Sequence, residues 1–189
     1  MTAAATMGAV VLLAFASGTA AAESTTPAPR SGLVVAVGLG AGRLGCSDSD
    51  GNDCTRSGDA EAGTFVAEVG SMLRPTLALV GHLQIAVHRD DDVTVSQTIL
   101  AAAVRGWAAP RLWLEGGLGI AQARLDVDGG VVDYTSQSDT VPAIVGGVGF
   151  EIISTDRLAL DVNLRAATGL YRDDVRLYQT SLGVGVSFF

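Results

Sequence analysis

From Gly32 to the last residue, the chain alternates large apolar residues with small or polar ones at a period of two. This is the pattern of β-strands with two unlike faces. In GLVVAVGLG, Leu33, Val35, Val37 and Leu39 share one face, while the other shrinks from Val34 to Ala36, Gly38 and Gly40. TLALVGHLQIAVHR sets Leu77, Leu79, Leu83, Ile85 and Val87 against Ala78, Val80, His82, Gln84, Ala86 and His88. RLWLEGGLGI sets Leu112, Leu114, Leu118 and Ile120 against Trp113, Glu115, Gly117 and Gly119. In RLALDVNLRAATGLY, Leu158, Leu160, Val162 and Leu164 oppose Asp161, Asn163 and Arg165. The closing SLGVGVSFF places Leu182, Val184, Val186 and Phe188 opposite Ser181, Gly183, Gly185 and Ser187. Less regular runs at 64–73, 95–108 and 140–153 bring the predicted strands to eight.

The connections alternate in length. Long polar ones fall near 43–63, 89–94, 126–139 and 171–176, and tight turns fall at 74–75, 109–110 and 154–157. An antiparallel up-and-down meander of this kind closes into a barrel, because closure leaves no unpaired edge. The face made of Gly, Ala and Ser, with isolated Glu68, Arg105, Glu115, Asp161 and Arg165, is too small and too sparsely charged to meet water. It suits the interior of an eight-stranded barrel, which has room only for side chains. The aliphatic face then points into lipid, where a closed barrel pairs every backbone group. A soluble lipocalin-like binder is the alternative with the faces exchanged.

Composition changes the picture in two ways. With 20 acidic residues against 12 basic ones, the net charge is −8, which argues against a nucleic-acid partner. The mean hydropathy of +0.38 is high, yet no apolar run is long enough for a membrane helix, which needs about 20 residues. The run MGAVVLLAFASGTAAA, with Ala20 and Ala22 spaced as a cleavage site, predicts a secretory signal peptide over 1–22. ESTTPAPRS then reads as a Pro/Thr-rich linker over 23–31, leaving 32–189 for the barrel.

Taken together, RLWLEGGLGIAQARL, the alternating connections and the terminal aromatics of LGVGVSFF resemble the eight-stranded outer-membrane β-barrel family. This is the group of the OmpA transmembrane domain, OmpX and the opacity-type proteins. The resemblance covers about Gly32 to Phe189. It implies a location in the outer membrane among its lipids. It also implies recognition by the barrel-assembly machinery through a final aromatic, Phe189 or Phe188, the latter continuing the register of Val186, Val184 and Leu182. The family's aromatic girdles have Trp107, Trp113, Phe150, Tyr171 and Tyr178 as candidates.

Candidate chemistry is sparse. Glu68, Arg105, Glu115, Asp161 and Arg165 are expected to pair as a core ion network, since an unpaired buried charge is costly. His82 and His88 lie six residues apart on one strand face, about 20 Å at 3.4 Å per residue, too far to share a metal, and structural roles are expected. No nucleophile elbow, zinc-protease or P-loop motif occurs. The expected function is therefore non-enzymatic: a monomeric barrel displaying acidic loops, with an envelope-structural or adhesion role. A narrow pore and a lipid-acting membrane enzyme are the alternatives within the membrane class. Acid on the loops also suggests divalent-cation links to lipopolysaccharide.

The stretch GCSDSDGNDC has two readings. Asp48, Asp50 and Asn52 fill positions 1, 3 and 5 of a calcium loop, and Asp59 falls at position 12. Position 6, where the turn needs Gly, is Asp53. The other reading joins Cys46 to Cys54, the only two cysteines, in a disulfide that staples a hairpin tip, as export permits. The stapled tip is preferred, and no other cofactor is expected.

Overall fold

The computed structural model describes residues 30–47, 60–128, 133–171 and 175–189. Its strands are β1 (Leu33–Ser47), β2 (Ala60–Arg74), β3 (Leu77–Asp90), β4 (Val93–Ala109), β5 (Leu112–Asp128), β6 (Asp133–Gln137), β7 (Val141–Ser154), β8 (Leu158–Leu170) and β9 (Arg176–Phe188). Each is antiparallel to its neighbours in the order β4-β3-β2-β1-β9-β8-β7-β5, and β4 pairs with β5 to complete the ring. The seam joins the first strand to the last, from Val35↔Phe188 to Ser47↔Arg176. The barrel has eight staves. The one strand outside the ring, β6, pairs among the described residues only with the far end of β5, from Arg124↔Gln137 to Asp128↔Asp133.

The two faces differ as the alternation requires. A belt of large aliphatics points outward, one on every stave: Leu39, Val69, Leu79, Leu100, Leu118, Ile144, Leu164 and Leu182. Leu118 is 69% exposed and Leu39 66%, values that no water-soluble surface would sustain around its whole girth. A lipocalin-like protein would show the reverse, so that alternative falls. The inner face carries small residues because the curled strands bring backbones together. A Cβ on Gly42 would lie 1.7 Å from the Thr180 carbonyl, and one on Gly119 would lie 2.1 Å from that of Leu100.

The structure corrects the predicted connections. The tight turns at 74–77, 109–112 and 154–158 stand where the sequence placed them, at the end that also holds Arg30 and Phe189. The region 89–94 is not a long loop: β3 runs to Asp90 and β4 begins at Val93, leaving a two-residue turn. Asp91 takes φ 43°, a left-handed conformation that Asp tolerates better than most residues. Much of 126–139 is likewise strand. Among its described residues a break at Ser138–Thr140 is splinted to β5: Ser138 N donates to the Ala123 carbonyl at 2.9 Å, and Ala123 N donates to Ser138 Oγ at 2.9 Å.

A charged layer and a clasp inside the barrel: candidate functional site

Inward-facing ionisable side chains from five staves meet near the middle of the barrel. Strand register sets Glu68 on β2 opposite His82 on β3, and Arg105 on β4 opposite Glu115 on β5. Arg105 donates from Nε to Glu115 Oε2 at 2.8 Å and from Nη2 to the same oxygen at 2.6 Å, and its Nη2 also bonds Glu68 Oε2. Arg165, from β8 across the lumen, reaches Glu68 Oε1 at 2.7 Å and Glu115 Oε1 at 3.2 Å. Each carboxylate therefore faces two guanidinium groups. His82 Nδ1 lies 3.1 Å from Glu68 Oε1 and 3.0 Å from Glu115 Oε1, and its Nε2 lies 3.2 Å from Gln84 Oε1. All these groups are buried.

Asp161 stands beside this layer. It accepts from Asn163 Nδ2 at 2.7 Å, and Asn163 Oδ1 in turn accepts from Arg165 Nε at 3.3 Å. Trp113 forms one wall, with Arg105 Cζ 4.2 Å and Arg165 Cζ 5.1 Å from the ring centre, within cation–π range. The indole fits because its cross-strand partner is Gly149, where a Cβ would lie 2.3 Å from the ring.

Glu68, His82 and Glu115 offer ligand atoms all within 4.8 Å of one another, a donor set suited to a divalent cation. The oxygens are already taken by Arg105 and Arg165, however, and a cation there would face both positive charges at contact distance. The arrangement is a salt-bridged core layer. None of its carboxylates is left without a partner to act as a base.

A second cluster closes the turn end. Arg30, placed by sequence in the linker, is folded under the barrel and is 4% exposed. Its Nη2 lies 2.5 Å from Glu151 Oε2, 3.1 Å from Ser154 Oγ and 3.4 Å from the Pro110 carbonyl. The guanidinium sits 4.5 Å from the Trp107 ring centre and 5.2 Å from that of Phe189. Trp107 Nε1 donates to Glu151 Oε1 at 2.6 Å, and the Trp107 and Phe189 rings meet edge to face at 5.8 Å. Sequence reasoning missed Arg30, Glu151 and the place of His82. The signals available were an Arg at the foot of the first strand and an acidic residue in the irregular run 140–153.

Other expected positions separate. Phe188 points outward and Phe189 turns in against Trp107. As girdle candidates, Trp107 and Trp113 are corrected: both are buried inside the barrel, and Tyr171 packs against the inner core, leaving Phe150 exposed and Tyr178 half-buried. His88 lies at the loop end, its Nδ1 2.6 Å from the Glu61 carbonyl oxygen. Asp48, Asp50, Asn52, Cys54 and Asp59 lie outside the described residues. Cys46 lies within β1, and among the described residues no cysteine is free.

Comparison with curated protein sequences finds no match. Among solved structures, the chain is similar to Ail, the attachment invasion locus protein of Yersinia pestis, at 13% identity. The match covers 84% of this chain and 99% of that one, with a TM-score of 0.60. It is similar to the Neisserial surface protein A at 18% identity, covering 82% and 96% of the two chains with a TM-score of 0.54. It is also similar to the N-terminal β-barrel domain of Pseudomonas aeruginosa OprF at 18% identity, covering 84% and 97% with a TM-score of 0.51. At these identities the likeness shows a shared fold. The family described as outer membrane protein beta-barrel domain matches residues 7–188, and the chain belongs to it.

Proposed function

We propose that this protein is a monomeric, non-enzymatic barrel of the outer membrane that holds acidic hairpins at the cell surface, with an envelope-structural or adhesive role. The observation that carries this reading is the charged layer of Glu68, His82, Arg105, Glu115 and Arg165, whose members satisfy one another across the lumen. Such a core fills the barrel, and it offers no nucleophile beside a free base. Export by a signal peptide over 1–22 and insertion by the assembly machinery through Phe188 or Phe189 fit this reading. In barrels of this class the short turns face the periplasm and the longer connections face outward.

At the surface, Glu61, Asp90, Asp91, Asp92, Asp126 and Asp139 outnumber Arg43, Arg89, Arg124 and Arg176 at the loop end, so the described rim is net negative although Asp126 is paired with Arg124. Ail has been crystallised with the heparin analogue sucrose octasulfate. An acidic rim would repel such a polyanion, so the partners favoured here are cationic surfaces, or lipopolysaccharide bridged by divalent cations. The test is detergent fractionation, followed by calorimetry of the purified barrel with millimolar calcium in the presence and absence of lipopolysaccharide. Extraction only by detergent, with heat released on mixing, is expected. A freely soluble protein, or cleavage of added lipid by the purified barrel, would contradict the reading.

A further inference from the structure

The two ends of the barrel meet the lipid differently. At the loop end the ladder continues beyond the aliphatic belt, to Asp90↔Val93 and to Asp128↔Asp133. At the turn end the belt runs to the last residues of the staves: Leu33, Leu73, Ile152, Ile153 and Phe188 are all exposed, and Leu73 stands one residue before the end of β2. Lipid chains therefore reach the turns. The residues just beyond lie at the depth of the headgroups.

Each of the three turns puts an arginine at that depth. Arg74 ends β2, Arg111 precedes β5 and Arg157 precedes β8, and all three are exposed. Their side chains have no hydrogen-bond or ion-pair partner among the described residues, in contrast to Arg30, which Glu151 holds inside the mouth. Acid is scarce at this end. Asp156, beside Arg157, is the one exposed acidic side chain there among the described residues, and the chain-end carboxylate of Phe189 lies at the same mouth. Arg74 and Arg111 occupy neighbouring turns, β2–β3 and β4–β5, that carry no acid.

A guanidinium with all its donors free suits phosphate oxygens, which its planar fork can bind in pairs. With no acid on those two turns, nothing there receives the ammonium group of a zwitterionic lipid. A headgroup with net negative charge is the better partner.

We infer that the turn end is a docking surface for anionic phospholipid, whose headgroup phosphates Arg74 and Arg111 bind in the leaflet facing the turns. Arg157 contributes less, because Asp156 offsets its charge. Basic turns then hold the barrel to one leaflet, while the acidic rim stands clear of the other. The inference rests on the insertion in lipid proposed above.

The test places the isotopically labelled full barrel in phosphatidylcholine nanodiscs in which phosphatidylglycerol replaces a rising fraction of the lipid. The side-chain Nε–H resonances of Arg74 and Arg111 are expected to shift saturably, while those of the buried Arg105 and Arg165 stay in place. Read at the backbone amides of Thr76 and Leu112, Arg74→Gln or Arg111→Gln should each raise the phosphatidylglycerol fraction at half-saturation about fivefold near its own turn. Asp90→Asn, at the loop end, should change nothing. Insertion without a saturable shift would overturn the inference alone, whereas failure to enter the nanodiscs would contradict the proposed function as well. Shifts that survive in Arg74→Gln/Arg111→Gln would also overturn it. So would the same shifts raised by millimolar inorganic phosphate in discs of phosphatidylcholine only, which would mark a site for soluble anions.

Discussion

Arg165 crosses the lumen to bind the two carboxylates that Arg105 also holds, so its removal leaves the buried Glu68 and Glu115 short of positive charge. Breaking a buried pair costs about 3–5 kcal/mol. Arg165→Ala should therefore lower barrel stability by that order, read as an earlier urea midpoint for loss of the fast-migrating folded band on unheated gels; an unchanged midpoint would contradict the layer. Gly149→Ala should act through shape alone, because the added carbon would lie 2.3 Å from the Trp113 ring. Overpacking of this kind costs about 1–3 kcal/mol, and the near-ultraviolet dichroism of the displaced indole reports it. The inward register of Glu68, Arg105, Glu115 and Arg165 is legible from the period-two pattern. Which guanidinium meets which carboxylate is not, because stave tilt and stagger decide that. His82, expected to be structural, joins the layer through Glu68 directly opposite on β2 and through Glu115 two staves away, and only the second contact depends on the tilt.

At the scale of elements, strands were legible where their two faces met lipid and core, and illegible where they left the membrane. Around 88–96 and 122–137 both faces are wet, so the apolar alternation fades while backbone pairing continues. Polar sequence there reads as loop although the ladder continues to Asp90↔Val93 and to Asp128↔Asp133. The clasp was hidden differently: Arg30 follows a Pro-rich stretch, and nothing in that composition shows that the chain turns back under the barrel. Since the chain has two tryptophans and Arg30 covers one of them, Arg30→Ala should raise acrylamide quenching of the folded barrel's fluorescence. Quenching equal to wild type would mean that the clasp does not shield Trp107. At the opposite end, Cys46 and Cys54 are expected to be joined, closing a ring of about nine residues worth about 2.5 kcal/mol in the loop-entropy treatment. Thiol titration of the unfolded, unreduced protein should find no free thiol, and two per chain would contradict the pairing.

For the molecule as a whole, the outward belt and the filled interior make one arrangement. Lipid takes the aliphatic face, and the core is closed twice, by the charged layer and by the clasp beneath it. Opening a path would require separating buried ion pairs, which is why display of surface hairpins fits better than transport. The most direct measurement is single-channel recording of the purified, refolded barrel in planar lipid bilayers at neutral pH. A filled barrel should insert and show no steady conductance above the bare membrane, whereas a stable open level in most insertions would contradict the closed core.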